Sequence, residues 1–158
     1  MDNGHLLTQS LAIIEWLDET YPNAPLLPGN AYDRAYIRSL ALSVACDIHP
    51  LQNLRVLKHV KDAYGQDQVG LDTWCRHWIE PGLAAFEVQL NQSGKSGTFC
   101  VGDTPTLADI CLIPQMFSAA RFNADISGLK TIRRIVANAE AHPAFQAAHP
   151  SRQPDTEA

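Results

Sequence analysis

The sequence predicts a mainly α protein: a helical bundle preceded by a remnant made of one short strand and one helix. Three observations carry this. From Asn30 onward every long segment repeats its apolar residues at spacings of three and four. Residues 21–29 hold three prolines and a glycine, which no regular element can cross, so they read as a linker between two units. Finally, Asp2-Asn3-Gly4 is a strong hairpin signal followed by an outgoing strand, His5-Leu6-Leu7, with only Met1 before it. The chain is therefore expected to open in the middle of a domain, giving a remnant over 1–20, a linker over 21–29 and an all-helical unit over 30–158.

Taken in order, Ser10 is expected to cap a helix over 10–19 whose apolar stripe is Ile13, Ile14 and Leu17. Asn30, with Asp33 in the first turn, opens the next helix. Ile37, Leu40, Ala41, Val44 and Ile48 form its stripe. Pro50 interrupts that pattern and Leu51, Leu54 and Leu57 resume it, which predicts one long helix kinked at Pro50. A polar break over 62–70 precedes a helix over 71–90 carrying Trp74, Trp78, Leu83 and Phe86, bent at Pro81-Gly82. After a loop over 91–97, the piece 99–103 returns the chain to the core. Thr106-Leu107-Ala108-Asp109 then has the form of a capping box with Asp at its fourth position, a structural role. The next helix is apolar nearly all round and is expected to be central. A last long helix covers 129–141, a short turn follows Pro143, and the polar tail from Pro150 lies on the surface.

The composition narrows the function. Hydrophobic residues make up 46% and charged residues 18% of 158 residues, which suits a globular fold and excludes disorder. The net charge of −5, with no basic tract, makes nucleic acid and anionic membrane poor partners. No run approaches the roughly 20 apolar residues that span a bilayer, and the first residues lack a signal-peptide pattern, so a cytoplasmic location is expected. None of the four cysteines forms a Cys-x-x-Cys pair and no histidine has metal-ligand spacing, so neither a disulfide framework nor a metal site is expected.

The residues also carry a family resemblance. Leu7-Thr8-Gln9-Ser10-Leu11-Ala12-Ile13-Ile14-Glu15-Trp16-Leu17 resembles the end of the thioredoxin-like domain of glutathione transferases, and the helical remainder resembles their C-terminal domain. His49-Pro50-Leu51-Gln52-Asn53-Leu54-Arg55-Val56-Leu57, Phe99-Cys100-Val101-Gly102-Asp103, Ala119-Ala120-Arg121-Phe122 and the ending from His149 to Asp155 are similar to the zeta class, which includes the maleylacetoacetate isomerases. The resemblance implies glutathione as cosubstrate, a small diacid as substrate and a homodimer. It implies that Gln9 and Ser10 hold the γ-glutamyl end of glutathione at a helix N-terminus. His49, Asn53, Leu54 and Arg55 reach glutathione from around the kink, and Arg121 anchors a substrate carboxylate. Thr106 and Asp109 match the family's capping box.

One departure stands beside the match: no Ser-Ser-Cys, the class's motif at the head of the first thioredoxin-domain helix, occurs in the sequence. The expectation is therefore a glutathione-dependent cis–trans isomerase represented by a fragment with no assigned catalytic residue and little activity alone. The alternative is a non-catalytic helical module used for assembly.

Overall fold

A computed structural model describes residues 4–154. The expected turn at Asp2-Asn3 lies outside them. Residues 5–8 are not a strand, because a strand needs a neighbouring strand to complete its ladder and none lies beside them among the described residues; the isolated bridge between Ser96 and Gly102 is elsewhere. The mainly α expectation holds, with seven α-helices among the described residues.

Helix α1 spans Ser10–Thr20. Ser10 is its first residue rather than its cap. The cap position falls to Gln9, whose backbone sits at φ 73 and ψ 119 and whose side chain accepts nothing from the first turn. Leu11 and Ile14 pack on the core, whereas Leu17 is 40% exposed, so the buried stripe lies one turn earlier than expected. A bidentate contact from Arg38 to Glu15, 2.8 Å at its shorter arm, ties α1 to the next helix, and acceptance of the Leu26 N–H by Asp18 ties it to the linker.

Helix α2, Ala31–Leu42, opens as the sequence dictates. Asn30 Oδ1 accepts the N–H groups of Tyr32 and Asp33 at 2.8 and 3.1 Å, and Asp33 reaches back to the Asn30 N–H. The expected single kinked helix is instead two helices. α2 widens into a π-helical turn, Ser43–Ile48, tightens into a 3₁₀ turn, His49–Gln52, and stops. Asn53 is extended at φ −61 and ψ 140 and caps a new helix, α3, Leu54–Tyr64, by accepting the Arg55 N–H at 3.2 Å. Pro50 supplies no N–H to continue the ladder, and the capping asparagine three residues on offers a fresh start.

Gly65, left-handed at φ 61, closes α3, and Asp67 caps α4, Gln68–Ser93, which runs through Pro81 and is longer at both ends than expected. The backbone of α4 meets the π-helical turn at Gly82, where a Cβ would come within 2.5 Å of Ile48 Cγ1. Helix α5, Leu107–Arg121, is central as expected, with Leu107, Ala108, Leu112, Met116 and Ala119 buried. Helices α6, Lys130–Ala141, and α7, Pro143–Ala148, close the bundle. One apolar core, centred on Ile37, Leu40, Ile48, Ile79, Phe86, Leu112 and Ile135, joins α2, α4, α5 and α6.

Candidate functional site

At the head of α1, Gln9 and Ser10 are exposed. The intrahelical ladder begins with Ile13 N–H donating to the Gln9 carbonyl at 3.0 Å. The N–H groups of the first turn therefore lack a capping side chain and present the positive end of the helix. A carboxylate fits there. The left-handed Gln9 costs about 1–3 kcal/mol by its conformation, and such strain concentrates where a ligand is held.

The second group lies at the break between α2 and α3. His49, Asn53, Leu54 and Arg55 are all exposed, and Leu54 keeps 67% of its surface open to solvent. Asn53 spends its oxygen on the α3 cap, which leaves its amide N–H groups for a ligand. The break is held from behind by α4: Trp74 Nε1 donates to the Leu51 carbonyl at 2.8 Å. It is also held by α5, where Gln115 Nε2 donates to Gln52 Oε1 and Gln52 Nε2 to the Ile48 carbonyl, both at 3.3 Å.

Arg121 ends α5, exposed, with its guanidinium 5.7 Å from the Phe122 ring centroid. The carbonyl of Phe122 accepts from Arg76 of α4 at 3.1 Å. Thus the first half of α4 ties down both the break, through Trp74, and the end of α5, through Arg76. The head of α1 is placed differently, through the contacts of Glu15 and Asp18 with α2 and the linker.

Thr106 and Asp109 are fully buried and structural, as expected. The capping box forms, and Asp109 Oδ2 accepts both the N–H and the hydroxyl of Thr106 at 2.8 Å. Its other oxygen accepts the Cys100 N–H at 2.8 Å, so the same carboxyl locks the 99–103 piece against α5. Burial pushes the thiols of Cys75 and Cys111 up to about 11 and that of Cys100 well above its ordinary value, which leaves them protonated and inert at neutral pH. Cys46, in contrast, is exposed on the π-helical turn.

Three structural features have no counterpart among the sequence expectations. Gln52 and Gln115 form a buried polar pair in an apolar core, and a glutamine on the buried face of a central helix is the one signal that points to it. Glu87, in the apolar stripe of α4, accepts the N–H groups of Thr131 and Ile132 at 2.8 Å and so caps α6 from another helix. Burial raises the Glu87 pKa, but these hydrogen bonds outweigh it and hold the carboxyl below its usual range. Between α3 and α4 lies a groove of about 420 Å³ lined by Val60, Tyr64, Thr73, Trp74 and His77, none of them an expected site residue.

Known proteins resemble this chain along nearly its whole length. No family model matches it. The maleylacetoacetate isomerase of Pseudomonas aeruginosa is 45% identical over 158 residues, covering 100% of this chain and 72% of the relative. A bacterial zeta-class maleylpyruvate isomerase solved in its holo form superposes with a TM-score of 0.96 at 43% identity, over 99% of this chain and 74% of that one. The maleylacetoacetate isomerase of Anaeromyxobacter dehalogenans, solved with dicarboxyethyl glutathione and citrate in its active site, gives a TM-score of 0.90 at 42% identity, over 97% of this chain and 67% of that one.

Proposed function

This chain belongs to the zeta class of glutathione transferases, and on that premise we propose that it forms the ligand-holding helical part of a glutathione-dependent cis–trans isomerase acting on maleyl diacids such as maleylacetoacetate and maleylpyruvate. The observation that supports this most strongly is its likeness, over nearly its whole length, to an isomerase holding a glutathione that carries a dicarboxyethyl group. That molecule is the product of adding the thiol across the double bond of a four-carbon enedioic acid.

When bound, glutathione supplies the thiol that adds to the conjugated double bond and leaves after rotation about the resulting single bond. This chain's residues bind and orient. Ser10 and the first-turn N–H groups of α1 hold the γ-glutamyl carboxylate, with Gln9 beside it. Asn53 donates its free amide protons, His49 adds a hydrogen bond rather than a proton transfer, and Leu54 covers the apolar part. Arg55 reaches glutathione with a permanent positive charge, and Arg121 supplies the charge that a diacid requires. Arg121 grips one carboxylate of the diacid, so one end stays fixed while the other rotates. No residue among these is assigned the ionisation of the thiol, and Ser-Ser-Cys does not occur in the sequence. The reading includes a homodimer, which sedimentation equilibrium would check.

Calorimetric titration of the folded chain tests this reading. Dicarboxyethyl glutathione is expected to bind more tightly than glutathione, and Arg121→Ala to remove about tenfold of that preference, or about 1.4 kcal/mol. Turnover of maleylpyruvate by the 158 residues should lie far below that of the P. aeruginosa isomerase assayed beside it. Absence of binding by either ligand, an unchanged preference in Arg121→Ala, or turnover equal to the relative's would each contradict it.

A further inference from the structure

The Gln52–Gln115 pair is the least expected feature of the core. Gln115 is 1% exposed and Gln52 8%, and Leu112, Met116 and Ala119 surround Gln115 on the same buried face of α5. A leucine at 115 would suit the apolar character of that face. The glutamine instead brings a polar amide into the core, and its Oε1 is buried with no hydrogen-bond partner. A buried acceptor left unpaired is an energetic liability, and a fold that retains one has a reason other than stability. The rest of the amide shows what the reason is. Its Nε2 donates to Gln52, and Gln52 donates to the Ile48 carbonyl, the last residue of the π-helical turn. This relay reaches from the central helix to the one stretch where the backbone between α2 and α3 has left its regular ladder.

On the opposite side, Trp74 takes the Leu51 carbonyl and Gly82 gives Ile48 room to sit against α4. The short stretch bearing His49 and Asn53 is therefore clamped at three residues, Ile48, Leu51 and Gln52, from two helices. Irregular backbone without such clamps would sample several conformations and cost binding energy to order.

We propose that Gln115 is a positioning residue: acting through Gln52, it fixes the break between α2 and α3 that presents His49, Asn53 and Arg55 to the bound glutathione. The ligand role of those three residues rests on the function proposed above; the clamping of the break does not.

The test separates the two. Amide hydrogen exchange of the free protein is measured for wild type, Gln115→Leu, Gln52→Leu and the double variant. In Gln115→Leu, residues 48–55 are expected to exchange about fivefold faster, the loss of one neutral hydrogen bond. The α5 amides of 107–119 should stay unchanged and the thermal midpoint should change little, because the substitution removes the unpaired Gln115 Oε1 but leaves Gln52 Oε1 unpaired in its place. The double variant should exchange no faster than Gln52→Leu, as a serial relay requires. Binding of glutathione and of dicarboxyethyl glutathione should weaken together, by a similar factor, in Gln115→Leu. Unchanged protection of 48–55, or additive effects in the double variant, overturns the positioning role. A wild type that binds neither ligand, with the exchange results as expected, leaves the clamp standing and removes the functional reading instead.

Discussion

At the scale of single residues, Gln9, proposed as a glutathione contact, departs from the rules that fold a chain. Its backbone at φ 73 is one that glycine adopts freely and glutamine does not. Gln9→Gly should therefore stabilise the protein by about 1 kcal/mol in denaturant unfolding while weakening glutathione binding, since the side chain beside the α1 N-terminus is gone. A loss of stability would show that Gln9 is held by contacts worth more than its strain. The Gln9-Ser10 pair is visible in the sequence by resemblance, but pattern alone puts the cap on Ser10. A serine before an apolar helical run reads as a cap, and only the backbone angle of Gln9 moves the helix start by one residue.

At the scale of elements, the break between α2 and α3 bears four of the proposed ligand residues, His49, Asn53, Leu54 and Arg55. Asn53 there caps α3 with its oxygen, and the proposed function gives it a second duty, offering its amide to a ligand. Asn53→Asp separates them. Aspartate caps as well as asparagine, so stability should change by less than about 0.5 kcal/mol. It brings a negative charge and no donor toward a diacid, so affinity for dicarboxyethyl glutathione should fall by about tenfold. If stability and affinity fall together, the cap is the whole role. The helices with sustained apolar spacing, α4, α5 and α6, are legible in the sequence, and so is the Thr106–Asp109 box, because each is written in local chemistry. The π-helical turn is not. Val44 and Ile48 within it keep a helical apolar pattern, and the turn packs against α4 and α5 through contacts that no local signal records. The strand expected over 5–8 fails for the complementary reason: a strand's ladder is completed by a neighbouring strand, and none lies beside it among the described residues.

At the scale of the whole molecule, distant segments are joined by a few buried polar groups rather than by apolar packing alone. Asp109 ties the 99–103 piece to α5, and Glu87 ties α4 to α6. Glu87 gives a pH test with a definite sign. Its folded-state pKa lies below the ordinary carboxylate value, so its contribution is present above that value and is lost as pH falls through the folded pKa. Wild type should exceed Glu87→Gln in unfolding free energy by about 2 kcal/mol at pH 7, with the difference closing as the pH falls below the ordinary carboxylate range and the carboxyl takes up a proton. A constant difference across that range would mean that the carboxyl's charge contributes nothing and only its shape is used. The most direct test of a single ligand site shared by α1, the break and the end of α5 is NMR of the folded chain. Backbone signals and the Arg121 side-chain signal are recorded during titration with dicarboxyethyl glutathione. The predicted result is that signals of Ser10, Asn53 and Arg121 shift together along one saturation curve. Shifts confined to the groove between α3 and α4, at Val60, Trp74 and His77, would contradict it.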